Sequence, residues 1–128
     1  MSKTERYSES LENYLETIYM FGGKDVKSVD LAKHLNVSRA SVNNAINSLI
    51  EKKLVDKALY GNISLTEEGL KVSKKILQKH ELLKAFLIDI LHINPEQAEQ
   101  EACGIEHVIS DFTASQIKKL MKKLQAND

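Results

Sequence analysis

The chain holds a single cysteine, so no internal disulfide can brace it; packing must hold it together, as suits a reducing cytoplasm. It holds a single proline, Pro95, so almost no position is barred from helix. No apolar run approaches the roughly 20 residues of a membrane-spanning helix, which argues against a membrane partner. The opening Met1-Ser2-Lys3-Thr4-Glu5-Arg6 is polar and lacks the apolar centre of a secretion signal. Net charge is zero, so no global positive excess draws the chain to nucleic acid.

The charge is unevenly placed, however. Residues 24–57 carry seven Lys/Arg against four Asp/Glu, a local +3, while the flanking segments are at −2 and −1. At 128 residues, with 42% apolar and 28% charged side chains, the chain can bury a real core. Sustained helical periodicity makes the expected fold mostly α. We expect an N-terminal winged helix-turn-helix over residues 1–70 and an α-helical metal-binding and dimerisation domain over residues 71–128.

A first helix is expected over residues 10–21, with Leu11, Leu15 and Ile18 on one face and Gly22-Gly23 ending it. Ser28 is placed to cap a short helix carrying Leu31 and Leu35. Asn36-Val37 makes a tight turn, since Asn tolerates left-handed backbone. Ser38 then caps a helix to about Lys53, with Val42, Ala45, Ile46, Leu49 and Ile50 inward. Two short strands, 54–58 and 62–65, meet at Tyr60-Gly61-Asn62. Thr66-Glu67-Glu68 opens a long helix expected to reach about Leu91. Asn94-Pro95-Glu96 opens another, to about Ile109. Asp111 or Thr113 caps the last.

Helix, turn, helix and wing is an order suited to reading a DNA major groove. The outward positions of the second helix are Arg39, Ser41, Asn43, Asn44 and Asn47. Asn presents both a donor and an acceptor to adenine, and Arg pairs with guanine or clamps a phosphate. Lys33, Lys52, Lys53 and Lys57 are placed to meet phosphates.

The segment Cys103-Gly104-Ile105-Glu106-His107 puts a thiol, a carboxylate and an imidazole within one helical turn. Glu99, one turn earlier, extends the stripe. Such a set has little reason to face an apolar core and converges the ligand types that hold a divalent transition metal. One helix cannot close a coordination sphere, so other elements must contribute. Asn13 and Glu16 on the first helix and His80 on the long helix are candidates. A metalloenzyme would need an open metal position and a substrate-binding loop, and nothing in the chain resembles the latter. A winged helix answering to a non-metal ligand or a protein partner is the other alternative.

Several segments are similar to one family. Asn13-Tyr14-Leu15-Glu16-Thr17-Ile18-Tyr19 resembles the first helix of the diphtheria-toxin-repressor / manganese-transport-regulator metalloregulators. Val37-Ser38-Arg39-Ala40-Ser41-Val42 resembles the entry to their recognition helix. Lys79-His80-Glu81-Leu82-Leu83 resembles their long-helix ligand segment, and Glu101 through Asp111 gives the most specific match. The likeness runs from about Tyr7 to the last helix. It implies a homodimeric repressor that binds a palindromic operator in double-stranded DNA when loaded with a divalent metal. The chain looks like the short form, without an SH3-like domain.

The resemblance also implies ligands. The primary site would be Asn13, Cys103, Glu106 and His107. Cys103 is similar to the iron-responsive members, whereas the manganese-responsive ones have Glu there. Asn13 matches neither pattern, and its neutral oxygen would ligate without charge. A second site would use His80 with Glu16, as in the manganese pattern, or with Glu99, as in the iron pattern. Lys84 stands where the iron type has an acidic ligand and, as an ammonium, cannot ligate; it is expected to pair with Glu81 or another nearby acid. A sulfur ligand moves preference away from Mn(II), so the expected order is Fe(II), then Mn(II), then Zn(II). A metal held by the first helix and the later helices would fix the orientation of residues 28–65 for two major-groove faces roughly 34 Å, or a multiple of that, apart.

Overall fold

The computed structural model describes residues 7–126, which divide into two compact units over residues 7–75 and 76–126. The expected mostly α architecture, a winged helix-turn-helix followed by a helical unit, is what the structure has. Among the described residues no helix is long and apolar enough to cross a membrane.

In the first unit, α1 (Glu9–Met20) starts where the Ser8 hydroxyl accepts a hydrogen bond from the Leu11 amide at 3.2 Å. It ends on Gly22 and Gly23, both at positive φ. Helix α2 (Ser28–Leu35) begins one residue earlier than a Ser28 cap would allow. Lys27 stands at the cap position without a side-chain bond, because Val26 is already fixed by a two-way backbone bridge to Ile63. Asn36 adopts the expected left-handed conformation, at φ 55° and ψ 52°. Ser38 caps α3 (Arg39–Glu51), its hydroxyl accepting from the Ser41 amide at 3.0 Å.

Helix α3 stops short of Lys53 because the chain closes on itself there. Lys53 turns left-handed, and the Leu54 amide reaches back to the Leu49 carbonyl at 3.0 Å. Strands β1 (Val55–Lys57) and β2 (Ile63–Leu65) pair antiparallel, Val55 opposite Leu65. Leu15, Ile18, Leu31, Val42, Ile46, Leu49, Leu54 and Ile63 form the core of this unit. Ala45 is half-buried and Ile50 lies at the surface, so the inward face of α3 is narrower than its apolar pattern suggests.

Helix α4 (Glu67–Ala85) starts in the first unit and ends in the second. Its start is fixed by Thr66, whose hydroxyl donates to the Lys53 carbonyl at 2.7 Å and accepts from the Gly69 amide at 3.0 Å. That closeness requires glycine at position 69: a Cβ there would lie 2.0 Å from the Leu54 carbonyl oxygen.

In the second unit the helix does not continue as α to Leu91. A π turn over Phe86–Ile90 replaces its end, and the Leu91 amide bonds to the Phe86 carbonyl at 3.3 Å. Apolar spacing cannot encode that extra residue; the turn lies where α5 (Pro95–Glu106) and α6 (Asp111–Ala126) both pack. Leu83, Leu87, Ala98 and Ala102 form the core, flanked by Ile88, Ile93, Ile105, Ile109 and Ile117. The two alanines, one turn apart, let α5 approach closely. Helix α5 ends at Glu106, not at Ile109, and His107 is its cap residue. Ser110 is the residue that caps α6, accepting from the Thr113 amide at 3.0 Å. Asp111 instead pairs with Lys79 at 3.2 Å, and Thr113 receives the Ser110 hydroxyl proton.

Two glycines give opposite expectations. Gly69→Ala drives a methyl group into backbone and should cost at least about 1–3 kcal/mol of unfolding free energy. Gly104→Ala meets nothing within 4 Å and should stabilise α5 by roughly 0.8–1 kcal/mol. Urea unfolding of the two variants beside the wild type checks both signs.

Candidate metal centre and DNA-facing surface

The two candidate sites lie in different units. In the first, the exposed face of α3 carries Arg39, Ser41, Asn43, Asn44 and Asn47, while Val42, Ile46 and Leu49 face the core. All five polar side chains are solvent-facing, as are Lys33, Lys52, Lys53 and Lys57. Ser41 is engaged locally, its hydroxyl accepting from Ser38 at 3.0 Å. The wing adds two residues that apolar periodicity does not single out: Leu59 and Tyr60, 93% and 90% exposed at its tip. Asn13 and Glu16 lie on α1, both half-buried.

In the second unit, Asn94 accepts from the Gln97 amide at 2.9 Å and Pro95 occupies the first turn, which fixes the start of α5. The register set there delivers Cys103 and Glu106 to the last turn and His107 to the cap. The ligand atoms of these three residues all lie within 4.8 Å of one another. Donors around one transition-metal ion stand roughly 3–4 Å apart, given bonds near 2.0–2.3 Å, so small side-chain rotations suffice. A thiolate, a carboxylate and an imidazole suit such an ion, and the residues present fit one.

Glu106 is the demanding member. It is 3% exposed and sits at the C-terminal end of a helix, where the backbone dipole already carries negative partial charge. A buried carboxylate needs a cation. His80, also buried at 5% exposure, provides it: its Nδ1 lies 2.6 Å from Glu106 Oε1. Its Nε2 lies 2.9 Å from Glu99 Oε2, and Lys84 Nζ lies 3.0 Å from Glu99 Oε1. His80 is therefore a buried, doubly bonded histidine, and of the acids near Lys84 it is Glu99 that pairs with it.

The electrostatics follow these contacts. Burial pushes the His80 pKa down, but its bonds to Glu106 and Glu99 outweigh that and hold it above the ordinary histidine value. Bonds from Lys84 and His80 hold Glu99 below the ordinary carboxylate value, and the Lys84 ammonium is raised by Glu99. His80 and Lys84 are four residues apart on α4, and Glu99 and Glu106 seven apart on α5. Each spacing keeps its pair on one helical face, and the four residues together form a clamp.

A winged helix with a locally basic stretch over residues 24–57, followed by a helical unit with a Cys/Glu/His cluster, has the make-up of a metal-responsive transcriptional regulator. The chain belongs to the iron-dependent repressor family, the diphtheria-toxin-repressor / manganese-transport-regulator group. Residues 6–63 match the iron dependent repressor N-terminal DNA binding domain, and residues 66–128 its metal binding and dimerisation domain. An uncharacterized HTH-type transcriptional regulator of Methanocaldococcus jannaschii is 38% identical over 121 residues, spanning 92% of this chain and 97% of that protein. The HTH-type transcriptional regulator MntR of Bacillus subtilis is 30% identical, over 93% of this chain and 84% of its own length. A manganese-dependent transcriptional repressor in complex with manganese superposes with a TM-score of 0.79 at 27% identity, over 88% of this chain. This chain covers 52% of that longer one. The family comprises metal-dependent transcriptional repressors that bind operator DNA and dimerise.

The clamp sets a pH dependence. Because the folded pKa of His80 is raised, its contribution to metal-free stability is complete below the unfolded value of about 6.5 and is lost as pH rises through the folded value. Thermal unfolding with a chelator should show stability falling on the alkaline side for wild type, and a flatter profile there for His80→Gln.

Proposed function

We propose that this protein is a transcriptional repressor of metal-ion homeostasis that binds a palindromic operator in double-stranded DNA as a homodimer when loaded with a divalent transition metal. The carrying observation is the convergence of Cys103, Glu106 and His107, one of them a deeply buried carboxylate, in a chain whose other unit is a winged helix with an exposed polar and basic face. In this reading the primary ligands are Asn13, Cys103, Glu106 and His107. His80, with Glu16 or Glu99, is the candidate set for a second ion. The roles of Asn13 and Glu16 rest on the sequence resemblance. Phe112, 70% exposed, with Leu120 and Leu124 supports a homodimer contact along α6.

The ion preference in this reading is Fe(II) over Mn(II), with Zn(II) third, because a thiolate suits Fe(II) better than Mn(II) and Asn13 adds no charge. A bound ion supplies the positive charge that the Glu106 carboxylate otherwise takes from His80. Asn43, Asn44 and Arg39 would meet base edges, while Lys33, Lys52, Lys53 and Lys57 meet phosphates.

Anaerobic operator binding against Fe(II) and Mn(II) is the test. Fe(II) should activate wild type at the lower free concentration, Cys103→Glu should shift preference toward Mn(II), and His107→Ala should abolish activation while the protein stays folded. DNA binding untouched by chelator would refute metal dependence. On the DNA side, Asn44→Ala should cost roughly 1–3 kcal/mol of discrimination at one base position. Lys57→Ala should instead weaken all sequences alike and flatten the salt dependence of binding. An unchanged selected operator with Asn44→Ala would mean that another face reads the bases.

A further inference from the structure

We propose that Lys79 is a positioning residue for the metal centre: its ammonium ties down the connection between α5 and α6 and so holds His107 in place for an ion. The inference rests on the metal-binding reading of Cys103, Glu106 and His107.

Cys103 and Glu106 sit in the last turn of α5, whereas His107 is its cap residue and opens the connection 107–110. Its side chain is buried all the same, so the backbone beyond it has to be ordered. On the near side, the Ile105 carbonyl accepts from the Val108 and Ile109 amides at 3.0 and 3.1 Å. On the far side, the Thr113 and Ala114 amides both turn to Ser110, which leaves the Ile109 carbonyl outside the ladder of α6. Lys79 serves that carbonyl. From α4 its Nζ donates to the Ile109 oxygen at 3.3 Å and reaches Asp111 Oδ1 at 3.2 Å.

Ordering a lysine stem costs side-chain freedom, and this one is held at 17% exposure. The next residue of α4, His80, bonds to Glu106 at 2.6 Å. Two consecutive residues of α4 thus hold the chain on either side of His107. The two tethers differ in kind. The His80 tether uses the Glu106 carboxylate, a member of the cluster, whereas the Lys79 tether uses a backbone carbonyl and Asp111, which are not. The Lys79 tether therefore competes with no donor of the cluster. A ligand ordered beforehand loses less freedom on binding, which raises affinity.

The test titrates Co(II), reading the near-ultraviolet cobalt–thiolate band, with folding verified by circular dichroism. Lys79→Met, which keeps the stem and removes the ammonium, should bind Co(II) about 10–100-fold more weakly than wild type. Asp111→Asn leaves the Ile109 contact and should fall between the two. In a His107→Ala background, Lys79→Met should cost no further affinity, because the residue it positions is gone. A purely structural tether would lower the metal-free melting temperature and leave the Co(II) affinity of the folded protein unchanged. That result overturns the inference, as does an equal loss with and without His107. Should Lys79→Met fail to fold, Asp111→Asn decides, and an unchanged affinity overturns the inference. Absence of the cobalt–thiolate band in wild type overturns the metal reading and this inference with it. A normal band with wild-type affinity in Lys79→Met overturns the inference alone.

Discussion

The second unit is organised around one expensive charge. Glu106 places a carboxylate 3% exposed at the negative end of α5, where burial and the helix dipole both oppose it. Its neighbours make sense as answers to that cost. His80 reaches it from α4 at 2.6 Å, Glu99 holds the far side of the same ring, and Lys84 balances Glu99. Cys103 and His107 bring two further donor atoms to within 4.8 Å. On the proposed function, such a site has two ways to settle the charge, a proton on His80 or a metal ion, and competition between them would link ion binding to pH and to stability.

The first unit needs no such device. Its core is apolar apart from the Thr17 and Ser73 hydroxyls, which donate to the Asn13 and Leu15 carbonyls, α1, α3 and α4 start on serine or threonine caps, and the polar residues on the exposed face of α3 point outward. The contrast fits a division of labour in which one unit presents a rigid, solvated reading face and the other carries the chemistry. Gly69 and Thr66 set where α4 begins.

Much of this was legible in the sequence because the signals are local. Ser38, Asn36, Asn94 and Pro95 each act on backbone within four residues, and the structure uses each as its chemistry suggests. The Cys103–Glu106–His107 cluster follows from helical spacing alone, even though the helix stops at Glu106. What was not legible depends on distant packing. The π turn at Phe86–Ile90 exists where two later helices pack, and Ser110 rather than Asp111 caps α6 because Lys79 has claimed Asp111. Glu99 shares a stripe with Cys103, yet its partners are His80 and Lys84 on another helix, and only a three-dimensional register shows that. Asn13 and Glu16 keep the standing that family resemblance gives them.

The central claim is that Glu106 carries a charge the fold tolerates for the sake of an ion. The most direct measurement is the melting temperature of Glu106→Gln beside wild type, with chelator and with saturating Mn(II), at a pH where His80 is neutral. The account predicts that the metal-free variant melts at or above the wild-type temperature, because an uncompensated buried charge is gone, and that Mn(II) raises the wild type but not the variant. A metal-free variant that melts well below wild type, or one that Mn(II) still stabilises as fully, would contradict it.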